Sequence, residues 1–174
     1  MFVPNFTKKW DNGLQLNMLG SVCVGCSLHN NYVVLHRKFF VVQQGILVTG
    51  PSGCGKTSFV KLIAKECDAF LVKVGDSVHG SRPGESEKNL RAAFLQASAA
   101  CTEGLCILFL DDIDALCPRC RDDSDGLARR MLAELLSLLE KHEHVARLVV
   151  IAATSKPSEI DPCLRRAGRF EKEV

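Results

Sequence analysis

Gly50-Pro51-Ser52-Gly53-Cys54-Gly55-Lys56-Thr57 is the stretch that decides how this chain is read. The spacing G-x-x-x-x-G-K-T selects one chemistry when a strand precedes it and a helix follows. Both flanks fit. Gly45-Ile46-Leu47-Val48-Thr49 has the length and β-branched content of a buried strand, and Ser58 to Cys67 carries Phe59, Leu62 and Ile63 at helical intervals. In such a loop the glycines let successive backbone N–H groups turn towards an anion, because side chains there would block its approach. The following helix points its positive end at the same place. The expected phosphate cradle is Gly50, Pro51, Ser52, Gly53, Cys54, Gly55, Lys56, Thr57 and Ser58, with Lys56 on the β- and γ-phosphates and Thr57 on Mg²⁺. A plain glycine turn is the bland alternative, and eight matched positions in the right context set it aside.

Outward from the loop, strand and helix patterns alternate. Ala69 to Val74 reads as a second strand, and Glu85 to Ala100 as a helix with Leu90, Ala93, Phe94 and Ala97 on one face. Leu105 to Leu110 is a third buried strand. Asp123 to Lys141 is an amphipathic helix whose apolar face is Leu127, Met131, Leu135, Leu138 and Leu139, and Leu148 to Ala153 is a fourth strand. This alternation predicts a parallel sheet covered on both faces, a three-layer α/β sandwich of the P-loop NTPase class over residues 39–174.

Two further blocks fall at strand ends. Leu108-Phe109-Leu110-Asp111-Asp112 places acids where an apolar strand runs out, which is where ligands bind in open α/β sheets. Asp111 is then the Mg²⁺ partner through a coordinated water, and Asp112 the group that polarises an attacking water. The bland reading of the pair is a helix start. The fourth strand brings Ser155 to the γ-phosphate if it lies beside the first. Beyond it, Arg165, Arg166 and Arg169 form either a solvated basic turn or a set of arginine fingers for a neighbouring subunit's nucleotide.

Composition narrows the class. The chain has 174 residues, 47% hydrophobic and 24% charged, which suits one globular domain, and its formal charge of +2 gives no general pull towards nucleic acid. Nine scattered cysteines, an odd number, fit reduced thiols in a cytoplasmic or nuclear setting better than a disulfide framework. Cys23/Cys26 and Cys117/Cys120 have the spacing of zinc ligands, with coincidence as the plainer reading. His142 and His144 read as a polar helix end, since an i,i+2 pair does not share a helix face. Residues 1–38 lack sustained periodicity and read as a leader. Lys8-Lys9 ahead of the mildly apolar Leu14 to Leu28 stretch gives only a weak likeness to a signal peptide, broken by Asp11, Asn12, Gln15 and Asn17. No run is long and apolar enough to span a bilayer.

From about Gly45 to Val174 the blocks GPSGCGKT, GESEKNLR (Gly84 to Arg91), LFLDDIDAL and AATSKP…IDPCLRRAGRF resemble the AAA family of the valosin-containing-protein type. Gly80-Ser81-Arg82-Pro83-Gly84-Glu85, with Asp114-Ala115-Leu116-Cys117-Pro118, looks most like the first ATPase module of spermatogenesis-associated protein 5-like proteins. The resemblance implies ATP and Mg²⁺ as cofactors, homo- or hetero-hexameric ring partners, protein clients and a part in ribosome assembly. By position it makes Lys56 and Thr57 the phosphate and Mg²⁺ residues, Asp111 the Walker B acid, Ser155 sensor 1, and Arg166 and Arg169 the arginine fingers.

Departures from the family pattern bear on turnover. The family's catalytic Glu is Asp112 here, one methylene shorter, and a displacement of ~1 Å at a water-positioning group costs on the order of a hundredfold in rate. Sensor 1 is normally Asn, and Ser155 reaches less far. The pore-loop position reads Arg82-Pro83 in place of an aromatic and an aliphatic residue. The chain stops at Val174, before the family's helical lid. The expectation is therefore an ATP-binding module with weak hydrolysis. Its alternatives are a non-catalytic ring subunit that lends arginines to a neighbour and an incomplete fragment. A DNA-directed clamp-loader type is disfavoured, because no basic stripe is interleaved with aromatics.

Overall fold

The computed structural model describes residues 45–75, 84–119, 126–145, 147–166 and 168–174, together with the backbone of 6–9, 15–19, 22–26 and 32–36. Those four backbone segments are strands: β1 (Phe6–Lys9), β2 (Gln15–Leu19), β3 (Val22–Cys26) and β4 (Tyr32–His36). They pair antiparallel in chain order, with Phe6 opposite Met18 and Val22 opposite His36. The leader thus contains a meander that its sequence did not announce. Each strand is only four or five residues long, too short for a period-two pattern to stand out.

The rest is a second sheet with its helices. The elements run β5 (Gly45–Thr49), α1 (Lys56–Glu66), β6 (Phe70–Val74), α2 (Glu85–Ala100), β7 (Cys106–Leu110), α3 (Ile113–Leu116), α4 (Gly126–Lys141), β8 (Leu148–Thr154) and the two-residue β9 (Lys172–Glu173). Two 3₁₀ turns, Pro157–Glu159 and Pro162–Arg165, follow β8. The strand order is β6-β7-β8-β5-β9 and every pairing is parallel. The predicted sandwich is what forms.

Burial follows from position in the sheet. All residues of β7 and β8 are buried, as central parallel strands covered on both faces must be, whereas edge strand β6 is half exposed. Alternation then sorts the side chains. Ile107, Phe109, Val149, Ile151, Ile46 and Val48 meet Phe59, Val60 and Ile63 of α1 on one face. On the other, Leu108, Leu110, Val150 and Leu47 meet Leu90 and Phe94 of α2 and Met131, Leu135 and Leu138 of α4. Arg91 locks the two outer helices by a two-pronged pair to Glu134, its Nη2 donating over 3.1 Å to Oε2.

One predicted core residue is misplaced. Leu127 is 52% exposed, and Leu132 is buried in the apolar face of α4 instead. Leu127 lies in the first turn of a helix that begins at Gly126 (residues 123–125 lie outside the described residues). Its spacing fits the face, but the helix end carries it to the rim.

Phe94 is fully buried between α2 and the sheet, while its neighbour Leu95 is 66% exposed. Phe94→Ala is expected to lower the unfolding free energy by about 3–5 kcal/mol, and Leu95→Ala to stay within about 0.5 kcal/mol. Urea denaturation of both variants checks the contrast.

Candidate nucleotide site

The register of the sheet assembles the site. Thr49 stands opposite Thr154, and Leu110 opposite Ala152, so the C-terminal ends of β5, β8 and β7 lie side by side. The glycine loop, Ser155 and the Asp111-Asp112 pair leave from those three ends. Gly50 N donates to Thr154 O at 3.3 Å, which ties the loop's first residue to the tip of β8.

The loop is built for close approach. Gly53 and Gly55 have φ of 79° and 93°, a region that L side chains rarely adopt, and a Cβ at either would stand in open space. The mouth of the loop is therefore clear of side chains. Gly55 caps α1, whose first turn holds no acid to compete with a bound anion. Ser58 follows on the exposed side of that turn.

Lys56 is 93% shielded from solvent, at 7% exposure, and its ammonium is triply bonded. Nζ donates to Gly50 O at 2.8 Å, to Pro51 O at 3.0 Å and to Ser155 Oγ at 3.2 Å. The last contact joins the first residue of α1 to the residue that follows β8, so Ser155 lies beside the loop lysine. Thr57 Oγ1 donates to Asp111 Oδ2 at 3.1 Å. A hydroxyl and a carboxylate side by side are the hard oxygen donors that Mg²⁺ selects, so the chemistry of the pair suits that ion.

Asp112 occupies a different position. It is exposed, with φ 49° and ψ 55°, and its carbonyl accepts from Ala115 N and Leu116 N to open α3. Asp is one of the few non-glycine residues that enter this left-handed region readily. The helix-start reading of Asp112 therefore holds for its backbone.

The arginines divide. Arg169 Nη2 bonds Glu140 at 2.9 Å and its Nη1 donates to Cys163 O at 2.8 Å, so it is held within its own chain. Arg165 pairs with Glu173 at 3.2 Å. Arg166 is exposed and forms no salt bridge among the described residues. No hydrogen bond or ion pair among the described residues links these arginines to the chain's own glycine loop.

Three residues that the sequence reading passed over complete the site. Thr154, fully buried, donates to Asp114 Oδ1 at 2.6 Å and accepts from Lys156 N at 2.9 Å. This bolts the tip of β8 to α3 and orients Ser155 between them. Lys73 of β6 lies 2.8 Å from Asp111 Oδ2. Thr154 adjoins Ser155 and Asp114 adjoins the acid pair, so proximity in sequence was a signal for them; Lys73 had none.

The cysteine alternative gains no support. Among the described residues no group of three His, Cys, Asp or Glu is placed to hold a metal, and Cys117 is fully buried. Cys120 and the side chains of Cys23 and Cys26 lie outside the described residues, as does Arg82-Pro83. Burial pushes the Cys106 thiol up to about 12, with Cys101 beside it, so both stay neutral thiols. His142 Nδ1 lies 2.8 Å from Leu138 O and its ring packs 5.2 Å from Phe94, as part of a helix end. Among the described residues no helix is long and apolar enough to cross a membrane.

The sheet order and the loop at the end of β5 define a P-loop NTPase fold. More narrowly, the chain belongs to the AAA family, "ATPase family associated with various cellular activities", whose model matches residues 46–174. It is 43% identical over 134 residues to mouse ATPase family gene 2 protein homolog B, an alignment that covers 76% of this chain and 18% of the relative. It is 44% identical over 136 residues to Arabidopsis thaliana cell division control protein 48 homolog B, covering 75% and 22%. Against mouse nuclear valosin-containing protein-like the identity is 40% over 152 residues, covering 84% and 17%. The chain thus spans about a fifth of the length of these relatives.

The bond between Thr154 and Asp114 gives a direct test. Thr154→Val leaves Asp114 without that donor and is expected to cost about 1–3 kcal/mol of stability. Asp114→Ala, which removes the acceptor and leaves a buried hydroxyl, should cost a similar amount. The double variant should cost less than the sum of the two, read from denaturation midpoints.

Proposed function

We propose that this chain is an Mg²⁺·ATP-binding module that hydrolyses ATP slowly and works within a ring of AAA subunits. The observation that carries the reading is the junction of Lys56 with Ser155 and of Thr57 with Asp111, which joins three strand ends around one glycine loop.

The residues divide the work. Amides of Gly53 to Thr57 donate to the β-phosphate oxygens, and Lys56 exchanges its loop carbonyls for phosphate oxygens. Thr57 and Asp111 hold Mg²⁺, Asp111 through a water. Bound Mg²⁺ supplies charge neutralisation at the phosphate oxygens. Ser155 donates or accepts at the γ-phosphate side, and Asp112 orients the water. The shorter reach of Asp112 and Ser155 supports slow turnover.

Arg166, exposed and without a salt bridge among the described residues, is the arginine best placed to reach a neighbour's nucleotide. Arg169 reaches out only after leaving Glu140. The relatives' greater length supports a module within a longer protein, and the ring, the protein clients and a cytoplasmic or nuclear setting belong to the same proposal. The same observation favours a second reading, in which this subunit lends Arg166 to an active partner while its own site turns over little.

Lys56→Ala should weaken ATP binding by more than tenfold, measured by calorimetric titration with Mg²⁺ present. Asp112→Glu should leave ATP affinity within about twofold and raise turnover by about tenfold or more, measured by phosphate release. Fast hydrolysis by the unaltered chain with no gain from Asp112→Glu would contradict slow turnover. In mixtures with active partners, a loss on Arg166→Ala with none on Lys56→Ala selects the second reading.

A further inference from the structure

Lys73 has no part in the phosphate cradle, yet it makes the shortest contact to Asp111 among the polar contacts described for that carboxylate: 2.8 Å from Nζ to Oδ2, against 3.1 Å from Thr57 Oγ1. Parallel register explains the meeting. Lys73 stands opposite Phe109 and Val74 opposite Leu110, and Asp111 N bonds Val74 O, so Lys73, Phe109 and Asp111 lie on the face that α1 covers. Thr57 opens α1 on that same face. Gly75 follows β6, and a Cβ there would make only ordinary contacts, 3.4 Å to Lys73 Cε and 3.9 Å to Asp111 Cβ. The lysine side chain is 46% exposed and the Asp111 side chain is 14% exposed.

We propose that Lys73 is a tethered cation that competes with Mg²⁺ for Asp111, and so sets the Mg²⁺ concentration at which the loop takes up metal-bound nucleotide. The inference rests on the nucleotide-binding reading above. An ammonium on Asp111 cancels the charge that draws in a divalent ion, and a cation within one ion-pair distance of that ion repels it. Lys73 must therefore withdraw as Mg²⁺ arrives, at the loss of an ion pair that is modest because it is partly solvated. The result is a site that holds nucleotide with a shallow dependence on metal and that fills with Mg²⁺ only at raised concentration.

The test titrates Mg²⁺ into the full chain with a ribose-labelled fluorescent ATP and reads the Mg²⁺ concentration at half effect. Binding in chelator alone is run beside it. Lys73→Met is expected to lower the half-effect concentration by about threefold to tenfold. Lys73→Arg, which keeps the charge, should stay within about twofold of the unaltered chain. In an Asp111→Asn background Lys73→Met should change nothing further. If Lys73→Met gives no cooperative melting transition, Lys73→Gln replaces it with the same expectation. An unchanged or raised half-effect concentration, with nucleotide binding in chelator intact, would overturn the proposal alone. Failure of the unaltered chain to bind the nucleotide at all would overturn the reading beneath it, and this inference with it.

Discussion

The parallel pairing of β8 with β5 on one side and β7 on the other is the constraint on which the site depends. Each pairing fixes a register, and each register sets where a loop departs. Thr49 against Thr154 puts the glycine loop beside Ser155, and Leu110 against Ala152 puts Asp111 within reach of Thr57. A slip of one residue would turn Ile107 and Phe109 away from α1 and leave the acids on the wrong face. The long buried cores on both faces make such a slip costly, so packing far from the loop sets the geometry at its mouth.

Much of this was legible in the sequence because the relevant signals are local. Strand β5, the glycine loop and α1 are contiguous, and their order alone predicted a phosphate cradle. Strand β7 ends in acid, and β8 ends in a polar pair. What escaped notice depends on the third dimension. Lys73 reaches Asp111 only because β6 pairs with β7, and Thr154 finds Asp114 across two elements. Leu127 fits the helical face by spacing, yet it lies in the first turn of α4 and is exposed. The β1–β4 meander is legible only through its pairings, since four short strands carry little pattern apiece.

The start of α3 places a backbone demand on one residue beside the loop. Asp112 turns the backbone into α3 from a left-handed conformation, which favours Asp over bulkier side chains, and it stands where the family carries a longer acid. Its backbone conformation is therefore tied to the start of α3. Arg169 is held within its own chain by Glu140 and the Cys163 carbonyl. Arg165 and Arg169 are paired inside the chain, and Arg166 is exposed with no salt bridge among the described residues.

The central claim is that the ends of β5, β7 and β8 form one phosphate site. Amide chemical shifts of nitrogen-15-labelled protein, followed as Mg²⁺·ADP is added, test it most directly. The account predicts that the largest changes fall on Gly53, Gly55, Lys56 and Thr57, with smaller ones at Asp111 and Ser155. Changes centred instead on the small pocket lined by Ser86, Leu116 and Met131, or none at saturating nucleotide, would contradict it.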